Sequence, residues 1–369
     1  MIRSSLSASL AGVALALLVA PTASLAQTEA VITSRSVCDR CRIVLDREVK
    51  LGDRDGLGVI GRPKAVARDS RGRYYVVSEE WAHRIAVFDE DGDFMTALGR
   101  AGEGPSEFQT IDRMVFGPGD TLYVFDGRNG RVAVVGPEGN VVRTARVAGW
   151  ASSAARLPDG RFVVASSVLT PESIGYPLHV VTAEGGVESS FGVESPVMRR
   201  DMFYEAIRVV TVTPDGQILS ARYLQYLIES FNSDGEPLAR WARQAEWMPP
   251  QSSQIQMTDE QQEHPKFVDL WADDQGILWT AIRVNEPRWY RGLGEPTGTM
   301  EGRVWPIEDI DEVFGTRIEA LDLARNELLA SEETDEMVVG FLGDNRLVTY
   351  TESDWGVPRL SIWRIELRR

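Results

Sequence analysis

The sequence has little of what metal and nucleophile chemistry needs. It contains two cysteines and three histidines in 369 residues. The cysteines stand as Cys38-Asp39-Arg40-Cys41. Covalent haem attachment would want histidine after the second cysteine, and Arg42 is there instead. Zinc would need more ligands than this pair and scattered imidazoles supply. A thioredoxin-like pair would open a helix, whereas Ile43-Val44-Leu45 reads as a strand. The pair is thus expected to be a structural disulfide or idle thiols, with the disulfide favoured in an oxidising compartment. No G-x-S-x-G is present to mark a nucleophilic serine. The glycine-rich stretch at 52–58, G-D-R-D-G-L-G, has no helix start and no Lys-Ser/Thr after it, which excludes a phosphate loop. Basic surplus is absent too. With 39 Lys and Arg against 55 Asp and Glu the formal charge is −16, which repels a phosphate backbone and argues against nucleic acid as a partner.

Long apolar runs are confined to the start. Arg3, the apolar stretch from Leu10 to Ala20 and the small residues of P-T-A-S-L-A read as a signal peptide over 1–26, cut after Ala26. A retained anchor is the alternative. No cysteine follows the cut at once, so a lipid anchor is not indicated. The expectation is an exported chain, periplasmic or secreted, with no membrane span. Residues 27–42 form an N-terminal segment carrying the two cysteines.

What the sequence does have is repetition. Residues 64–98 hold four short β-rich runs, with turns at Asp69-Ser70-Arg71-Gly72 and Asp89-Glu90-Asp91-Gly92. Glycine at such turns supplies the positive φ that a hairpin needs. The cassette returns at 113–145, 152–191, 206–241 and 266–331, and a last copy from Met337 lacks a fourth strand. Residues 43–51, I-V-L-D-R-E-V-K-L, are a strand without partners of its own. Four-stranded repeats of roughly 40–50 residues indicate a β-propeller. The fold class is therefore all-β: a six-bladed β-propeller over 43–369, its ring closed by the strand at 43–51 joining the last blade. Closure removes the open sheet ends of a linear array.

G-R-A-G-E-G-P-S-E-F at 99–108, followed by L-Y-V-F-D-G-R-N-G-R-V at 122–132, resembles the NHL-repeat class, and more narrowly the exported bacterial six-bladed propellers that carry this signature. S-E-E-W-A-H-R-I-A-V-F-D at 78–89 resembles the second and third strands of the same repeat. The motif is sharp in blades 1 and 2 and faint in blades 3 to 5. The resemblance implies the fold. Members of the wider group bind proteins, RNA or small molecules, and a few are enzymes. Related six-bladed lactonases hold a divalent metal in the central channel with Glu, Asn and Asp. Here only Asp112, Glu205 and Asp269 lie near the inner strands, with no matching Asn. Ring-shaped amidating lyases use several histidines, more than His83, His179 and His264 offer. No cofactor is expected, and a channel metal remains the alternative.

Propellers place function on the face shared by the loops joining strands two and three and the loops joining blades. The irregular sequence falls there: Val284–Gly315 in blade 5, Gln244–Pro265 between blades 4 and 5, and Met198–Tyr204 between blades 3 and 4. These loops and their neighbours carry Trp81, His83, Arg128, Arg199, Arg200, Trp289, Tyr290, Trp305 and Trp355. Such a set suits a contact surface for a protein, peptide or glycan. The competing reading is that the aromatics seal long loops against the blades. Glu79 with Arg84, and Asp126 with Arg131, are expected as repeated ion pairs across the second-to-third loops. The carboxylates of Asp89–Asp93 sit at a hairpin turn and lack a calcium-loop frame. The sequence is thus expected to encode a monomeric binding or scaffold module, with a metal-dependent hydrolase or lyase as the alternative.

Overall fold

Strands of four or five residues that are apolar on both faces must be covered on both faces. The second strands Tyr74–Ser78, Leu122–Asp126 and Phe162–Ala165 are buried at every position. The computed structural model, which describes residues 29–52, 61–147, 149–166, 173–193, 207–249, 264–295, 307–353 and 357–369, shows how. Six sheets stand around an axis. Their inner strands are Pro63–Arg68, Ile111–Phe116, Ser153–Arg156, Arg208–Val212, Lys266–Ala272 and Met337–Gly343 in blades 1 to 6. Each inner strand contacts the next, and the sixth returns to the first.

Ring closure is the work of the strand Arg42–Leu51, which pairs antiparallel with Pro358–Arg368 as the fourth strand of blade 6, with Ile43 opposite Leu367 and Leu51 opposite Leu360. A bulge falls between Arg47 and Val49. Glu48 at that bulge accepts from Arg346 at 2.7 Å and Arg364 at 2.8 Å. Burial opposes ionisation of Glu48, but the hydrogen bonds from Arg364 and Arg346 outweigh it and hold the carboxyl below its ordinary value.

The N-terminal segment also joins the ring. Glu29–Ile32 lies parallel to Pro237–Arg243 as a fifth strand on blade 4, and Ile32 is buried there. Thr33 and Val37 donate their amides to Asn326 and Leu328 of blade 5. Cys38 and Cys41 form a disulfide, with Cα atoms 5.3 Å apart, at the turn into the closing strand. One segment therefore spans the outer edges of blades 4, 5 and 6.

The cores lie between blades. Phe108, at the end of the G-R-A-G-E-G-P-S-E-F loop, is 1 % exposed and fills the space between blades 1 and 2. The loop that delivers it is held by polar bonds. Glu107 accepts from the Gly104 amide at 2.9 Å and pairs with Arg100 at 2.7 Å, while Arg131 donates to the carbonyls of Glu103, Gly104 and Glu107. The signature is thus a scaffold element that sets one blade against the next.

Candidate functional site

Strand direction alternates within each blade, so the second-to-third loops and the links between blades share one face. On that face the long blade 5 connection folds back on itself. The Glu286 amide donates to the Val313 carbonyl at 3.0 Å, and Glu308 and Asp309 donate theirs to Gly292. Asp309 caps the single helical turn Ile310–Val313, accepting from the amides of Asp311 and Glu312 at 3.1 and 3.2 Å. Ile310 and Val313 are buried against blades 6 and 1, and Trp289 packs on the same cluster. With its apolar residues turned inward, the turn leaves its acids to the outside.

Those acids line a cavity of about 660 Å³. Glu286, Arg288 and Arg291 come from one arm of the connection, and Glu308, Asp309, Asp311 and Glu312 from the other. Asp335 enters from the link between blades 5 and 6, and Glu352 and Ser353 from blade 6. Seven carboxylates thus face two guanidinium groups. Asp311 accepts from the Glu352 amide at 3.0 Å through one oxygen, and its other oxygen is buried without a hydrogen-bond partner. Burial pushes its carboxyl up to about 6, the Glu352 amide opposes the rise, and Asp309, Glu352 and Glu336 add to it. Glu286 is raised by burial and by Asp335, Glu333 and Glu312. The cavity therefore gains by meeting positive charge.

The central channel has a different character. Asp112 is buried, and its carboxylate lies 2.8 Å from Lys64. Asp269 accepts from the amides of Phe341 at 2.7 Å and Leu270 at 2.9 Å. Arg113 of blade 2 reaches into the field of Asp269 on blade 5, the opposite side of the ring. Burial raises Asp269 to about 6 despite these partners. Glu205 lies outside the described residues. Of the described channel carboxylates, Asp112 meets Lys64 through one oxygen while its other oxygen is buried without a hydrogen-bond partner, and Asp269 meets two amides within the field of Arg113. Among the described residues no group of three or more His, Cys, Asp or Glu is placed to hold a metal.

The aromatic and arginine set separates. Trp81 and Arg128 are exposed at the loop tips of blades 1 and 2, and His83 is half-buried beside them. Trp289 is partly buried, whereas the adjoining Tyr290 is 59 % exposed. Arg199, Arg200, Trp305 and Trp355 lie outside the described residues. Trp289 and Tyr290 meet edge to face on the blade 5 connection, their ring centroids 6.3 Å apart, whereas Trp81 and Arg128 stand on the loops of blades 1 and 2. His179 is fully buried: its Nε2 donates to the Ser166 carbonyl at 2.8 Å, which leaves Nδ1 to accept from Ser190 at 2.9 Å. Burial lowers its pKa. Asp126 and Arg131 pair at 3.5 Å as expected, around a carboxylate that is fully buried. Glu79 instead pairs with Arg62 at 3.9 Å, because its amide donates to the Arg62 carbonyl at 2.8 Å and sets the two residues side by side. Asp89 accepts from the amides of Asp91 and Asp93, an ordinary hairpin turn. The cavity carboxylates were not singled out by sequence. Their one local signal was the acidic run E-D-I-D-E at 308–312.

Residues 59–189 match the family model DUF5128, described as a 6-bladed beta-propeller. No curated protein matches the sequence. Among solved structures, a DUF4221-family member from Bacteroides vulgatus superposes with a TM-score of 0.61 at 10 % identity, over 89 % of this chain and 99 % of that one. A putative exported protein from Bacteroides fragilis gives 0.56 at 9 % identity, over 92 % and 99 %. At such identities the likeness is one of fold. The chain is a six-bladed β-propeller.

Proposed function

We propose that this chain is an exported binding module that takes a lysine- or arginine-rich segment of a peptide or protein into the acidic cavity between blades 5 and 6. The observation that carries this reading is the lining itself, seven carboxylates around about 660 Å³ with one buried oxygen left unpartnered. A cation entering there lowers the mutual repulsion that raises Asp311 and Glu286. Arg288 and Arg291 would orient the partner by excluding its cations from their side of the cavity. The leader-like sequence over 1–26 supports the export in this reading.

The test is titration of a fluorescent lysine- and arginine-rich peptide, with a glutamate-rich peptide of equal length as control. Native protein should bind the basic peptide, weakening as salt rises. The variant E286Q/E312Q/D335N should bind at least about tenfold more weakly, without a lower thermal midpoint. Equal binding by the variant, or no binding by native protein at low salt, would exclude the cavity as the site.

A further inference from the structure

We propose that another part of the same face, over blades 1 and 2, is a second and separate contact surface, which binds an oligosaccharide bearing uronic acid groups. Three loops lie side by side there. The Ile111 amide donates to Ala82 at 2.6 Å, the Gly127 amide to Thr110 at 3.1 Å and the Val147 amide to Gly130 at 3.0 Å. A Cβ on Gly127 would stand 3.3 Å from the Gly149 carbonyl. Asn129 adds a bond to the Gly102 carbonyl at 3.0 Å. The loops therefore form one rigid band.

Trp81 and Trp150 stand on this band, 41 % and 44 % exposed. Large aromatics held out in water by rigid loops mark a contact surface. Arg84, Arg128 and Arg146 are exposed beside them, and among the described residues their side chains form no ion pair. Most carboxylates of the same region are paired with cations: Glu79 with Arg62, Glu107 with Arg100, Asp126 with Arg131 and Asp112 with Lys64. Glu80 accepts from the Arg62 amide at 3.3 Å and Glu103 from Gln109, so two carboxylates keep their charge. Against them stand the three arginines without ion pairs, a small local excess of positive charge in a chain of net charge −16.

The chemistry of the partner follows from this combination. Indole rings take the apolar faces of sugar rings, and guanidinium groups take carboxylates in paired hydrogen bonds. Adding a peptide as a strand requires a free backbone edge, and here loop backbone is engaged in the cross-loop bonds. A dense polyphosphate is disfavoured by the charge of the whole chain, whereas one carboxylate per sugar is a sparser load that local pairing satisfies within a Debye length.

The experiment is calorimetric titration of native protein with short oligogalacturonides, with neutral malto-oligosaccharides and oligoglutamate as comparisons. The oligogalacturonide alone should bind. Its affinity should fall at least about tenfold in W81A/W150A and in R84A/R128A, with thermal midpoints unchanged. E286Q/E312Q/D335N should bind it as native protein does, which separates this surface from the cavity. No binding at low salt, or unchanged binding by the tryptophan variant, would overturn the proposal. Equal binding of oligoglutamate, lost in the same variants, would also overturn it and assign the surface to an acidic protein segment.

Discussion

Gly92 rests on the backbone carbonyl of Lys50, so closely that a Cβ at position 92 would overlap the oxygen. Gly92 belongs to the last turn of blade 1 and Lys50 to the strand that closes blade 6. The same relation recurs round the ring: Gly139 packs on Leu98, Gly185 on Ala145 and Gly235 on Phe191, each at positive φ. Each of these glycines serves two needs, the turn conformation and the close approach of the preceding blade.

Gly92→Ala and Gly235→Ala should accordingly each cost on the order of 2–4 kcal/mol, more than the conformational penalty alone. Gly160 has positive φ but nothing within 4 Å of its notional Cβ, so Gly160→Ala should cost only about 1 kcal/mol. Urea unfolding of the three variants measures the difference. Equal costs would show that blade-to-blade contact at the turns contributes nothing.

Adjacent aromatics in the blade 5 connection should behave differently. Trp289 packs on the cluster of Ile310, Val313 and Phe314, so Trp289→Ala should cost about 2 kcal/mol and lower the thermal midpoint. Tyr290 is exposed, and Tyr290→Ala should leave the midpoint within a degree or so. Scanning calorimetry separates them.

Stability should respond to pH through Asp311. Its folded carboxyl is raised to about 6, above the ordinary value near 3.8, so the unfolded chain ionises first as pH rises. Its ionisation penalty is absent well below pH 4, grows between about 4 and 6 and is complete above that. Asp311→Asn keeps an oxygen for the Glu352 amide and removes the charge. The variant should melt higher than native protein at pH 7, with the difference shrinking towards pH 4. A variant that melts lower at pH 7 would contradict the burial and repulsion assigned to this group.

Blades 4 and 5 are joined by a buried ion pair. Arg243 and Glu319 meet at 2.9 Å with side chains 4 % and 0 % exposed, and Tyr226 and Ser331 also donate to Glu319. Removing one partner strands the other charge, so Arg243→Ala should cost about 3–5 kcal/mol in chemical unfolding. Arg243 also donates to the Ser34 carbonyl at 3.3 Å, so amide exchange over 29–37 should quicken in the same variant.

The repeat was legible because turn glycines and apolar strands are local features, and the closing strand was legible because I-V-L-D-R-E-V-K-L had no partner near it in sequence. Glu29–Ile32 was not. Four residues carry no period, and their place on blade 4 depends on a parallel register and on the pocket that receives Ile32. The loop-rich face could be inferred, but its division could not. Glu286, Asp311, Asp335 and Glu352 are far apart in sequence, and only the ring brings them to one cavity. Trp289 and Tyr290 are neighbours with opposite exposures, set by which side of one short turn each occupies.

The ring is closed only if the N-terminal strand completes blade 6. Hydrogen–deuterium exchange of the intact protein, read over residues 42–51 and 358–368, tests this most directly. Both segments should exchange slowly and at similar rates, as partners in one antiparallel ladder. Exchange of 42–51 within seconds, while 358–368 stays protected, would mean that the ring is not closed by this strand.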